Sequence, residues 1–441
     1  MRVSKYKEQL YAQSLGRQES VPLHMKVFLV TIALIVLGGT NDTLLAKYQV
    51  IFIGAYAVMS VALSVHQIHV IGRSTENMMI WGYLVWLIFL AGLIYSLDKL
   101  LTLRFSIYFL LYLLCMLCYL EWQNYAALLS IIRICAQFLA FSIIASAIFQ
   151  ERFVNAFSFW LENDSRVLQD IRYGQFSGLI GDRSFAAMAM CTGIYVELSC
   201  VLAQGKIRRK NVLFTLVCLA AMFLTGKRIT IVMVLCGLAM GMIVSNDKVS
   251  RKIVFRVALV ITIISVVVLF VAPQTKIVLY RLLGGLSDTT FNDRTQFWAV
   301  AWAMFLQKPV LGWGIGSYLQ YNLVYGTGIK QYAHNMYLQL LAETGIIGFL
   351  AIMALFVFAF VLTFRTVRIQ QNEQSGLSVN PVQSETYSKK AVCLFSLMSQ
   401  TGFLAYGLTG YPFYNLQQGF FYAVCVAMVL SLAKESAVRS R

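Results

Sequence analysis

Charge is what this chain has least of. Only 12% of its 441 residues are Asp, Glu, Lys or Arg, against 59% hydrophobic residues and a mean hydropathy of +0.70. Ordinary soluble domains carry about 25% charged residues, so a soluble globular fold is excluded. The short alternating segments of a transmembrane β-barrel are missing too. Nor is there a GxSxG motif, a carboxylate pair spaced for a glycosidase, or an internal or inverted repeat of the kind common in transporters. The leader MRVSKYKEQLYAQSLGR is polar and basic, unlike a cleavable signal, and the first apolar run starts near Met25. What remains is an all-α polytopic membrane protein.

At roughly 20 apolar residues per span, hydropathy predicts about twelve transmembrane helices, near 25–43, 46–65, 77–97, 103–120, 125–149, 185–204, 211–226, 229–246, 252–272, 336–364, 391–409 and 413–433. Asp98, Lys99 and Arg104 crowd the start of the fourth. The basic loops Lys206–Lys210, Lys248–Lys252, Arg365–Lys390 and Lys434–Arg441 alternate as cytoplasmic segments. The predicted organisation is a cytoplasmic leader over 1–24, nine spans over 25–272, an extracytoplasmic loop with interfacial helices over 273–335, three spans over 336–433, and a cytoplasmic tail over 434–441. The net charge of +17 then reflects anionic lipid and topology, not nucleic acid.

The outer face breaks the rule that sets the topology. Arg152, Arg166, Arg172, Arg183, Lys227, Arg228, Lys276, Arg281, Arg294, Lys308 and Lys330 all fall there. Cations kept on the translocated side, and above all in the tight Thr225-Gly226-Lys227-Arg228 turn, point to an anionic ligand. Arg228 can grip phosphate bidentately, with Lys227 as helper; headgroup snorkelling is the plain alternative. Arg183 precedes a span and can simply pair with Asp182. Arg133, inside the fifth span, is either functional or snorkelling.

The stretch 292–348 concentrates the remaining polar chemistry. Asn292-Asp293 read as the cap of a helix that Lys308-Pro309 stops. Phe297, Trp298, Ala301, Trp302 and Phe305 give that helix one apolar stripe, headed by Arg294 and lying in the membrane interface. Gly312-Trp-Gly-Ile-Gly316 reads as a flexible turn, because no strand precedes it as a nucleotide loop requires. His334 and Asn335 fall at the start of the tenth span. Asn335 is suited to capping, and a neutral imidazole can accept a proton, although a capping histidine would look the same.

No metal site is expected. The nine cysteines (Cys115, Cys118, Cys135, Cys191, Cys200, Cys218, Cys236, Cys393, Cys425) lie in predicted spans. Cys115-Met-Leu-Cys118 lacks a second ligand pair, and His66-Gln-Ile-His69 lacks a carboxylate.

Taken together, Arg294…Trp298, Lys308-Pro309-Val-Leu-Gly312-Trp-Gly314, His334-Asn335-Met-Tyr337 and Glu343-Thr-Gly345-Ile-Ile-Gly348, with the Thr225–Arg228 turn upstream, resemble the signature of the bacterial O-antigen ligase and polymerase superfamily. The resemblance implies a metal-independent, inverting glycosyltransferase of the cytoplasmic (inner) membrane, needing no cofactor. Its donor would be an undecaprenyl-pyrophosphate-linked glycan. The acceptor would be a second lipid-linked glycan for a polymerase, or lipid A-core for a ligase, and a chain-length regulator is a possible partner. It further implies His334 as base, Arg228, Arg294 and Arg183 as pyrophosphate ligands with Lys227, and Asn335 and Tyr337 as support. A protein oligosaccharyltransferase ranks behind these. So does a lipid-linked oligosaccharide flippase, which would carry its polar groups at the midplane.

Overall fold

The computed structural model describes residues 23–38, 43–64, 73–118, 125–205, 207–245, 248, 251–252, 254–259, 262–263, 289–376 and 388–439. The first 22 residues, His66 and His69, Lys276 and Arg281, and most of the ninth predicted span lie outside the described residues.

Every regular element among the described residues is helical, apart from one isolated bridge between Thr43 and Leu161. In chain order the α-helices are α1 Leu23–Gly38, α2 Leu44–Ser64, α3 Arg73–Ala91, α4 Lys99–Cys118, α5 Tyr125–Phe149, α6 Glu151–Ala156, α7 Asp164–Arg172, α8 Arg183–Gln204, α9 Arg209–Leu224, α10 Ile229–Val244, α11 Thr289–Gln307, α12 Tyr318–Tyr325, α13 Met336–Gly376, α14 Lys389–Gly407 and α15 Leu416–Arg439. Six of them are long and apolar enough to cross a membrane. α1, α9 and α10 have 16 residues each, about 24 Å at 1.5 Å per residue, which is short for a ~30 Å hydrocarbon core.

The centre of the bundle is α8 and α15, each 89% buried along its apolar window, whereas α3 is only 33% buried and turns Ile80, Leu84 and Leu87 outward. Small residues let the central helices approach closely. The Tyr195 hydroxyl of α8 donates to the Met233 carbonyl of α10, and its ring fills the space left by Gly237 and Gly402. Hydrogen bonds between helices add to the packing: Gln400 donates to Thr363 at 2.8 Å and Gln371 to the Val244 carbonyl at 2.9 Å. Arg133 belongs to this interior. Its guanidinium makes two contacts to Glu197 of α8, at 2.5 and 3.1 Å, and lies 4.8 Å from the Phe214 ring.

Helix ends gather at one end of the bundle, where the connections touch one another. Leu44 N–H donates to Trp160, Phe176 N–H to Leu224 and the Tyr95 hydroxyl to Leu311, and Tyr332 stacks on Tyr411 at 4.2 Å. The cationic turn and the 292–335 stretch meet here.

Two local expectations change. α11 starts at Thr289, before the cap expected at Asn292-Asp293, although it ends at Gln307 as Lys308-Pro309 require. The Gly312–Gly316 segment is a turn, as expected, but it is hydrogen-bonded into a break in α13 at Gly345. Gly314 N–H donates to the Glu343 carbonyl at 2.8 Å and Ile346 N–H to Pro309 at 2.8 Å. Gly345 has φ +62°, and a Cβ there would stand 2.3 Å from the Val310 carbonyl oxygen, so only glycine fits.

Candidate active site

Arg183 is the first residue of α8. The helix is capped by Asp182, whose carboxylate accepts the Phe185 N–H at 2.8 Å. Asp182 also meets Arg166 at 3.5 Å, so it is not the partner of Arg183. That partner is Asp170 of α7, 2.9 Å from Arg183 Nε. Burial raises the Asp170 pKa, while Arg183, Arg166 and Lys227 act in the lowering direction.

The Thr225–Arg228 turn closes between α9 and α10. Gly226 takes φ +70° over the Gln175 side chain, and the Phe176 N–H donates to Leu224 at 2.9 Å, which fixes the turn against the segment leading to Arg183. Lys227 is half-buried and Arg228 is exposed at the N-terminus of α10. Burial lowers the Lys227 ammonium pKa, Arg183 and Arg294 lower it further, and Asp182 and Asp170 oppose them. Residues from α7, α8, the α9–α10 turn and α11 therefore share one local field, at the positive ends of two helices.

His334 adopts φ +53°, a left-handed conformation uncommon for a side-chain-bearing residue. The surrounding hydrogen bonds enforce it. Asn335 Oδ1 accepts the N–H groups of Tyr337 and Leu338 at 3.1 Å each, capping α13 as expected. The Tyr337 hydroxyl reaches the Leu404 carbonyl at 2.7 Å, which ties the segment to α14. On the other side Ala333 N–H donates to Gln339 Oε1 at 3.2 Å. The imidazole is half-buried, with Phe297 and Tyr411 at ring distances of 6.3 and 5.5 Å. Its Nε2 lies 2.9 Å from Gln331 Nε2; as oriented, Gln331 donates and the proton of the neutral ring sits on Nδ1. Burial, then Arg294, then Lys227 push the His334 pKa down to about 4. At neutral pH this is an uncharged base beside cations.

Sequence reasoning missed two residues. Gln331 occupies the histidine lone pair. Glu343, quoted only as part of a motif, is fully buried and collects four hydrogen bonds: Gly316 N–H at 2.8 Å, Tyr318 N–H at 3.0 Å, the Tyr414 hydroxyl at 2.7 Å and Gln339 Nε2 at 3.2 Å. Since Gln339 also holds Ala333, a two-step relay runs from Glu343 to the residue before His334. A carboxylate on an apolar helix was the available signal, because such a group must find donors.

Arg294 and Lys227 thus act electrostatically on His334, and Arg183 and Arg294 on Lys227, with Arg228 next in the chain to Lys227. Arg133 stands apart, neutralised by Glu197. Among the described residues no three His, Cys, Asp or Glu side chains group as metal ligands, and Cys115 is buried in the bundle core. Such an arrangement can hold an anion and accept a proton next to it.

Residues 213–353 match a family model described as O-antigen ligase. The matched span takes in Lys227, Arg228, Arg294, His334 and Glu343 and leaves out Arg183. A comparison with curated proteins gives no match.

Proposed function

Starting from a membrane chain that carries an O-antigen ligase family domain over residues 213–353, we propose that it is an inverting glycosyltransferase using undecaprenyl-pyrophosphate-linked glycan. The carrying observation is the neutral His334 set beside Arg294, Lys227 and, through Lys227, Arg183. The donor pyrophosphate lies among Arg183, Lys227, Arg228 and Arg294, where N–H dipoles of α8 and α10 add to the cationic charge. The acceptor hydroxyl displaces the Gln331 amide from His334 Nε2 and gives up its proton there. Its oxygen attacks the anomeric carbon as the bond to the pyrophosphate oxygen breaks. The electron pair leaves on the lipid pyrophosphate, whose growing charge the arginines stabilise. A positioned base contributes about 10²–10⁴-fold.

The acceptor is a second lipid-linked repeat unit, making the enzyme a polysaccharide polymerase. It works on the outer face of the inner membrane with both termini in the cytoplasm. The family description favours a second reading, an O-antigen ligase with lipid A-core as acceptor. One gel of surface polysaccharide from a deletion strain separates the two. Loss of the ladder with one repeat still attached fits a polymerase; loss of every attached repeat fits a ligase. Complementation with His334→Ala fails in both cases, and a normal ladder from that variant would end the catalytic assignment.

A further inference from the structure

Beside His334 stands an aromatic wall. Tyr411 lies 5.5 Å from the imidazole and stacks on Tyr332 at 4.2 Å and 24°. Tyr414 backs the pair, 6.0 Å from Tyr332, and Phe105 of α4 meets Tyr414 edge-on at 5.2 Å. Tyr332 and Tyr411 are half-buried, and neither hydroxyl has a hydrogen-bond partner among the described residues. Two rings and two phenols with accessible hydroxyls beside the base leave both kinds of group available to a ligand. They suit a sugar, which offers C–H faces to rings and hydroxyls to phenols.

Beyond Tyr332 is Arg104, a full turn into α4 from Lys99 and exposed. Its Nε donates to the Tyr108 hydroxyl at 2.7 Å, which orients the guanidinium and leaves its outer N–H groups unused by that bond. No carboxylate pairs with it among the described residues. Its charge reaches the Tyr332 phenol, opposing the effect of burial there. Its charge is not among those that act on His334.

We propose that Tyr411, Tyr332 and Arg104 form the acceptor site: the terminal sugar of the acceptor packs on Tyr411 and Tyr332, and Arg104 binds the acceptor's own pyrophosphate. This rests on the glycosyl-transfer reading and adds to it a second anion site, separate from that of the donor.

The test uses full-length protein in lipid nanodiscs and a donor whose terminal hydroxyl is methylated, so that it cannot accept. Two acceptors carry the same oligosaccharide, one on a non-cleavable lipid pyrophosphonate and one on a neutral lipid. Wild type is expected to show a KM for the charged acceptor at least tenfold below that for the neutral one. Arg104→Ala abolishes that ratio and leaves the donor KM within twofold. Tyr411→Leu and Tyr332→Leu raise both acceptor KM values, and the Phe variants raise them less. An unchanged charged-to-neutral ratio in Arg104→Ala, as expected if Arg104 merely holds a phospholipid headgroup, overturns the proposal; so does a parallel shift in donor KM. Thermal unfolding of each variant identifies misfolding. Absence of any transfer by folded wild type, or its persistence in His334→Ala, counts instead against the glycosyl-transfer reading.

Discussion

Replacing Glu343 with alanine should do more damage than replacing His334. The fully buried Glu343 carboxylate is the acceptor for Gly316 N–H, Tyr318 N–H, the Tyr414 hydroxyl and Gln339 Nε2. Each buried donor left without a partner costs roughly 1–3 kcal/mol, so four together cost about 4–12 kcal/mol, before any term for the cavity. That is comparable to the 5–15 kcal/mol that typically holds a folded protein together. Glu343→Gln keeps one acceptor oxygen, which can serve Tyr318 and Gln339, and the Tyr414 hydroxyl can turn to accept from the new amide. Gly316 N–H and the Tyr414 O–H then lack acceptors, at a cost of about 2–6 kcal/mol. The assay is denaturant or thermal unfolding of purified protein in one detergent, followed by glycosyl transfer by whatever remains folded. Glu343→Ala is expected to unfold or to lose most of its stability, and Glu343→Gln to fold with a clear loss. Because Gln339 links Glu343 to Ala333, folded Glu343→Gln should also lose turnover while its donor KM holds. An alanine variant within about 1 kcal/mol of wild type would refute this, since that is less than one stranded donor costs.

The remaining predictions concern charge. With the His334 pKa near 4 in the empty site, the neutral base is present at pH 7 and is lost only as pH falls through about 4. The acid limb of kcat/KM, which reports free enzyme, should lie there. A bound pyrophosphate offsets Arg294 and Lys227 and raises the histidine pKa, so the acid limb of kcat should lie at higher pH. Arg294→Ala should also move the free-enzyme limb upward; coincident limbs in the wild-type pH profile, or a downward shift in the variant, would contradict the charge coupling. In the bundle interior, Arg133→Met or Glu197→Met alone should cost about 3–5 kcal/mol by leaving one charge buried, while the double variant should be close to neutral. Unfolding of all three in detergent measures the coupling, and additive losses would argue against a buried pair.

What could be read from the sequence was whatever depends on local pattern. Hydropathy located most of the described long helices to within about six residues, although α13 runs to Gly376 and not to 364, and Asn335 caps a helix, where a short polar side chain before an apolar run belongs. The cationic turn and the histidine came out for a related reason, because charge in an apolar chain is conspicuous. Pairing could not be read in this way. Arg183 looked satisfied by its neighbour Asp182, but Asp170 reaches it once α7 folds back, and Arg133 finds Glu197 from another helix. The glycine-rich turn looked loose because its partners, Glu343 and the α13 break, lie a turn of tertiary structure away. Gln331 had no signal beyond three residues' separation from His334.

The break at Gly345 bears on how the protein is made. Alone, Met336–Gly376 can enter a bilayer as an uninterrupted helix with all its backbone bonds internal, as lipid demands. Parting it at Gly345 releases backbone groups that, among the described residues, the 309–316 segment takes up through Pro309 and Gly314. The parted form therefore exists only once that segment has docked. Insertion can come first and assembly of the site second, so that the segment carrying His334 takes its final shape in a bundle already in place.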